Sequence, residues 1–183
     1  MKTIRPLTDH LILNPSISVM RGGLFVPEQF QEAATSCLVM DRGKSVNPAI
    51  KVGDTVLCPV GFGERKNNII EENLRWFICK DTHIHAIVRN KVVFPLGRRV
   101  LIRRDVQEIS INGIVIPENR RAQSLFGTIE RLGLSRSHFK VNGLKVGLKI
   151  RLTEWQPHMI ETALEDGSYG LVVNESDILY YEH

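Results

Sequence analysis

Nowhere in these 183 residues is there an apolar run long enough to cross a membrane, and the amino end, Met1-Lys2-Thr3-Ile4-Arg5-Pro6, lacks the apolar stretch of a secretory leader. A cytoplasmic protein with no membrane partner is the expectation. Cysteine is scarce: Cys37, Cys58 and Cys79 are an odd number without a Cys-Xaa-Xaa-Cys pair, which argues against a disulfide framework or a zinc site. They read as reduced thiols packed among strands. Charge of one sign is lacking too, since 24 Lys and Arg are interleaved with 20 Asp and Glu for a net +4, so charge singles out no partner. No long amphipathic helical period is present. The histidines, His10, His83, His85, His138, His158 and His183, form no helical ligand pair. His83 and His85 would share a strand face, but two ligands make a poor metal site. No nucleophile stands at an interpretable spacing from a base, so neither an enzyme nor a cofactor is expected.

What the chain does have is a repeat. Arg21-Gly22-Gly23-Leu24-Phe25-Val26-Pro27-Glu28 returns as Ile111-Asn112-Gly113-Ile114-Val115-Ile116-Pro117-Glu118. In both, a Gly-Gly or Asn-Gly pair able to take positive φ leads into three apolar residues and Pro-Glu, and the proline holds the residue before it extended. Such a tripeptide is either a fully buried strand or an exposed adhesive hook. The repetition runs further. Ile4-Arg5-Pro6-Leu7 with Leu11-Ile12-Leu13 is echoed by Val93-Phe94-Pro95-Leu96 with Val100-Leu101-Ile102, Lys51-Val52-Gly53-Asp54 by Lys145-Val146-Gly147-Leu148, and Asp81-Thr82-His83-Ile84 by Glu175-Ser176-Asp177-Ile178. Lys51 to Ile84 and Lys145 to Ile178 are both 33 residues apart, so this half repeats without insertion. The chain is a tandem repeat of about ninety residues, divided as 1–90 and 91–183.

Within each unit, short apolar runs alternate with Gly, Pro and Asp turns, the pattern of a small all-β barrel or sandwich. The runs are Leu11–Leu13, Cys37–Met40, Thr55–Cys58, Leu74–Ile78 and Ile84–Val88, then Val100–Ile102, Gly127–Gly133, Leu148–Leu152, Tyr169–Val173 and Ile178–Tyr181. Proline ahead of Leu11–Leu13 suggests an edge strand. The hooks lie in long loops with no sustained period, and such loops usually have a task. Only Arg89, Asn90 and Lys91 separate Val88 from Val92, too few for a tether, so the last strand of unit one lies beside the first of unit two. If these strands pair, the two outer edges stay free for further copies of the chain, closed or head to tail.

These motifs, in this order and found twice, resemble the GroES-type co-chaperonins: Ile4-Arg5-Pro6-Leu7-Thr8-Asp9, Gly22-Gly23-Leu24-Phe25-Val26, Lys51-Val52-Gly53-Asp54-Thr55-Val56 and Gly61-Phe62-Gly63 in unit one, with Asn112-Gly113-Ile114-Val115-Ile116, Lys145-Val146-Gly147 and Asn174-Glu175-Ser176-Asp177-Ile178-Leu179 in unit two. The resemblance implies two tandem partly open β-barrels, each with a long mobile loop, assembled into a homo-oligomeric ring that caps a GroEL-type chaperonin and assists ATP-dependent folding, the partner binding the ATP. It implies that Leu24, Phe25, Val26, Ile114, Val115 and Ile116 bind the chaperonin, with Gly22, Gly23, Asn112 and Gly113 as loop hinges. The ring interface would take Ile4, Pro6, Leu7, Ile84, Ile87, Val88, Phe94, Leu96, Ile178, Leu179 and Tyr181. Two departures stand out: only seven residues separate Gly43 from Lys51, too few for the hairpin that roofs many relatives, and Leu148 replaces Asp54.

Other readings compete. Arg98-Arg99-Val100-Leu101-Ile102-Arg103-Arg104 brackets a strand with four cations, but without a neighbouring aromatic platform it reads as a solvated strand end and no nucleic-acid partner is expected. Gly61-Phe62-Gly63 is no dinucleotide fingerprint, because no strand-to-helix unit follows it. The alternative to a co-chaperonin is a structural or adaptor protein, as of a virus particle, that reuses the doubled barrel for assembly.

Overall fold

A computed structural model describes residues 5–15, 20–21, 24–25, 36–59, 68–71, 74–105, 110–111, 114–115, 124–134, 143–154 and 159–182. Unit one contains β1 (His10–Pro15), β2 (Met20–Arg21), β3 (Leu24–Phe25), β4 (Ser36–Arg42), β5 (Thr55–Leu57), β6 (Asn68–Glu71), β7 (Leu74–Lys80) and β8 (Ala86–Arg89). Unit two contributes β9 (Val92–Pro95), β10 (Arg99–Arg104), β11 (Ser110–Ile111), β12 (Ile114–Val115), β13 (Phe126–Leu132), β14 (Lys149–Leu152), β15 (Ile160–Ala163), β16 (Tyr169–Asn174) and β17 (Ile178–Glu182). One sheet runs β6-β7-β1-β4-β5-β8-β9, the other β15-β16-β10-β13-β14-β17, and among the described residues neither closes on itself. The architecture is all-β, as the alternating turn pattern implied.

The second sheet repeats the first strand for strand from β6 to β8, with β9 as the first sheet's additional edge. β1 and β10 carry the same register shift, between Ile12 and Leu13 and between Leu101 and Ile102. The Lys-Val-Gly turns match as well: Gly53 at φ 87° donates to Val39 O, and Gly147 at φ 89° donates to Ile129 O, each at 2.8 Å. A left-handed backbone is why both turns carry glycine. A second matched pair is Gly43 and Gly133, where a β-carbon would stand 2.2 Å from Thr8 O and 2.3 Å from Gly97 O. The backbone passes too close there for any side chain.

Burial explains the runs of three apolar residues. Val100 and Ile102 face the second unit's core with Ile129, Ile150, Leu152 and Val173, whereas Leu101 faces a separate cluster with Leu57, Ala86 and Val93 of the first sheet and Ile160 and Val172 of the second. Alternate residues of one strand thus serve two cores, so an unbroken apolar run is required. Proline ahead of β1 suggested an edge strand, and this is corrected: β1 is paired on both sides, with β4 and β7. Pro6 precedes β1 by a turn at Thr8, whose φ is 48°. The edge preference is met instead in β9, where Pro95 ends the outermost strand of the first sheet.

Cys37, Cys58 and Cys79 are free and buried in the first core. Burial together with the neighbouring Cys37 and Asp81 pushes the Cys79 thiol up to about 12, so it stays protonated at neutral pH. Among the described residues no helix is long and apolar enough to cross a membrane, and no three His, Cys, Asp or Glu residues gather to hold a metal ion. His83 lies in a 3-10 turn, exposed, and His85 beyond it is buried, so they do not share a strand face.

Candidate functional site: two hairpins and two seams

Both hooks form hairpins. β2 pairs with β3 through Met20↔Phe25 and Arg21↔Leu24, and β11 with β12 through Ser110↔Val115 and Ile111↔Ile114. Two residues of the sequence stand between the paired positions in each, Gly22-Gly23 and Asn112-Gly113, types that suit a two-residue hairpin. These four residues, and Val26 and Ile116, lie outside the described residues. Each hairpin is a two-stranded sheet of its own, not a strand of either core sheet. Both issue from the same corner of their unit. The first connection leaves β1 and enters β4 at the paired ends Pro15↔Cys37; the second leaves β10 and enters β13 beside Arg104↔Gly127, where Asp105 N donates to Phe126 O at 3.0 Å.

The second feature is the junction between the units. β8 and β9 form a hairpin with Ala86↔Pro95, Ile87↔Phe94, Val88↔Val93 and Arg89↔Val92 in register, turned by Asn90 and Lys91 at φ 51° and 66°. Both central residues are left-handed, which matches the strand twist. The first strand of unit two thus completes the sheet of unit one. Leu96 is buried in the first core beside Ile84 and Ile87, with Phe94 packed against it, and Leu134 N donates to Pro95 O at 2.8 Å. Arg99 crosses the junction: Nη1 donates to Ile84 O at 2.9 Å and to Leu96 O at 3.2 Å, and Nη2 to Thr82 O at 2.9 Å. Burial holds its guanidinium below the ordinary arginine range.

The same junction is half-built at the outer ends. β17, the counterpart of β8, pairs with β14 in the register that β8 keeps with β5: Lys149↔Glu182, Ile150↔Tyr181 and Arg151↔Tyr180 against Thr55↔Val88, Val56↔Ile87 and Leu57↔Ala86. Among the described residues, no strand occupies on β17 the place that β9 takes on β8. Leu179 is 58% exposed there, with Tyr180 and Tyr181 exposed beside it. At the other end Leu7, the counterpart of Leu96, is 77% exposed, Pro6 is half-buried, and Ile4 lies outside the described residues. Ile178 is half-buried against the second core, where Ile84 is fully buried in the first.

The cations of strand β10 are engaged within the chain. Arg98 Nε meets Glu175 Oε2 at 2.9 Å, Arg99 is spent on carbonyls, and Arg104 Nη1 lies 3.8 Å from Glu161 Oε1. Arg103 bonds Glu130, Asp166 and Ser168; its bonds to Asp166 and Glu130 raise its pKa, while Ser168 and Arg103 together hold Asp166 below the usual carboxylate range. A crevice of about 230 Å³ lies against this network, lined among others by Leu101, Leu164 and Lys91. Its charges are balanced internally.

Asp54 and Leu148 mark where the two units part. Burial raises the pKa of Asp54, but the Arg89 pair and the Lys51 amide outweigh it and hold the carboxyl below its usual range. Arg89 Nε and Nη2 reach Oδ1 at 2.7 Å and Oδ2 at 2.5 Å, and Lys51 N donates to Oδ2 at 2.7 Å. In the second unit Leu148 packs against the apolar core, so an equivalent turn is held by burial.

Comparison with known proteins bears on all of this. The profile described as Chaperonin 10 Kd subunit matches residues 3–88 and again residues 92–181. Co-chaperonin GroES of Campylobacter concisus (strain 13826) is 35% identical over 86 residues, which is 46% of this chain and 91% of that protein. Co-chaperonin GroES of Campylobacter curvus (strain 525.92) is 34% identical over 86 residues, again 46% of this chain and 91% of its own length.

Proposed function

The chain belongs to the Chaperonin 10 Kd subunit family, twice over, and from that footing we propose that it is a co-chaperonin whose two units, 1–90 and 91–183, cap a GroEL-type chaperonin. Leu24, Phe25 and Val26 of the first hairpin and Ile114, Val115 and Ile116 of the second enter grooves on the partner's rim, with Gly22, Gly23, Asn112 and Gly113 as hinges. The chain acts in the cytoplasm without catalysis or a cofactor of its own, since the chaperonin hydrolyses the ATP. The observation that carries the reading is the separation of both hairpins from the core sheets, at one and the same corner of each unit.

The energetics suit a cap that must let go. Burying three apolar side chains is worth at most about 5–9 kcal/mol, taking about 1.5–3 for each. Ordering a loop costs about 1–2 kcal/mol per residue fixed, so one hairpin binds weakly. Several hairpins on one ring bind together through effective concentration and release together when the grooves change shape. The ring itself forms head to tail, with Ile4, Pro6 and Leu7 of one chain seated against Ile178, Leu179 and Tyr181 of the next. The template is the internal seam, where Phe94 and Leu96 meet Ile84 and Ile87, and Val88 pairs with Val93.

ATP-dependent capture on an immobilised GroEL-type chaperonin tests the proposal. Wild type is retained with nucleotide, and Phe25→Asp or Val115→Asp reduces retention while leaving the thermal midpoint unchanged. A wild-type protein that is not retained favours the adaptor reading.

A further inference from the structure

The two kinds of seam differ at one position. Within the chain, Arg99 sends its guanidinium across to Ile84 O and Thr82 O and back to its own Leu96 O. Its counterpart at the free end, by the match of Leu11–Leu13 to Val100–Ile102, is His10. The backbone around the two is the same: Asp81 N donates to Asp9 O at 3.0 Å, and Glu175 N donates to Arg98 O at 2.9 Å. His10 also keeps the contact to its own side, with Nδ1 3.2 Å from Leu7 O, the counterpart of Leu96 O. What it lacks is the reach and the five N–H donors of a guanidinium, so the bonds across the seam are lost.

The neighbouring charges change in the same direction. Arg99 meets the Asp81–His83 turn at the Thr82 carbonyl, whereas Asp9-His10 would face a turn carrying Glu175 and Asp177. Asp9 lies 3.0 Å from His10 Nδ1, accepts from Thr8 Oγ1 at 3.1 Å, and has Lys80 Nζ 3.9 Å away. Glu175 is already engaged by Arg98 of its own unit. A junction between chains therefore brings the Asp9 carboxylate towards two others, where the junction within the chain brings the Arg99 cation onto backbone carbonyls.

Resting on the head-to-tail reading above, we propose that a second copy of this chain docks its Leu7–His10 segment against the Glu175–Ile178 turn, and that His10 in place of arginine makes this chain-to-chain seam the one that opens. The Arg99 seam stays shut. The assembly then comes apart into whole two-unit chains and exchanges them, while each chain keeps its two units in fixed register. His10 is a positioning residue of the interface that sets how firmly copies hold one another.

Sedimentation velocity of the full chain across a concentration series tests this. His10→Arg lowers the chain-to-chain Kd by about tenfold or more, the worth of one charge-assisted hydrogen bond. In the reciprocal variant, Arg99→His, the Leu96 amide, bonded to His85 O at 2.9 Å, exchanges about tenfold faster or more. A thermally stable His10→Arg with an unchanged Kd, or unchanged Leu96 exchange in Arg99→His, overturns the role of His10 and leaves head-to-tail assembly standing. A wild-type chain that stays single at every concentration overturns both.

Discussion

Replacing Asp54 by alanine removes the acceptor from three donors at once: Arg89 Nε and Nη2 and the Lys51 amide. Asp54 is 8% exposed, so its carboxylate is a buried acceptor, but the Arg89 side chain is 35% exposed and water recovers part of what it loses. Arg89 Nη2 also keeps its bond to Ala49 O at 2.7 Å. Removing one partner of a fully buried pair costs about 3–5 kcal/mol; with this exposure the loss falls to about 2–3 kcal/mol. For a chain of this size that lowers the thermal midpoint by roughly 4–12 °C. Leu148 shows that the turn can be held by burial, so the double variant Asp54→Leu, Arg89→Leu loses about 1 kcal/mol or less. The pH dependence has a definite sign. The carboxyl is held below its ordinary value in the folded chain, so its contribution is full above the unfolded value of about 4 and fades as pH falls through the folded one. Thermal melts followed by far-ultraviolet circular dichroism between pH 7 and pH 2.5 read both effects. An Asp54→Ala protein as stable as wild type at pH 7, or a gap that widens below pH 4, refutes the reasoning.

Other outcomes follow from single positions. Lys91 sits at φ 66° in the two-residue turn of the β8–β9 hairpin, so Lys91→Gly relieves about 1 kcal/mol of strain and raises the midpoint by about 2–4 °C in the same melts. Gly43→Ala and Gly133→Ala place a β-carbon against backbone that cannot retreat, and each lowers the midpoint by more than Lys91→Gly raises it. Cys37, Cys58 and Cys79 are each at most 3% exposed, so iodoacetamide at pH 8 labels none of them in the folded protein and all three after denaturation, read by mass spectrometry.

The repeat was the most legible property of the sequence. Its motifs recur at fixed separations because equivalent turns need the same residues, as Gly53 and Gly147 at matching φ make plain. The three-residue connection Arg89-Asn90-Lys91 foretold that β8 and β9 lie side by side, and the structure pairs them. Other features were hidden for physical reasons. β2, β3, β11 and β12 are two residues long, too short to carry a period of two, and they read as irregular loop. β15, Ile160–Ala163, has a single large apolar residue, so its sequence shows no apolar–polar alternation. The proline rule misplaced β1 because a turn at Thr8 stands between Pro6 and the strand. Arg99 looked like one cation of a solvated bracket; only the three-dimensional seam reveals that it serves the carbonyls of the other unit.

Amide exchange on the hairpins, in the free chain and with a chaperonin and ATP, bears most directly on whether they are offered to another molecule. The account predicts that Leu24, Phe25, Ile114 and Val115 exchange rapidly in the free protein, far ahead of Leu11–Leu13, and slow sharply in the complex. Protection in the free protein equal to that of Leu11–Leu13, unchanged when chaperonin and ATP are added, would contradict it.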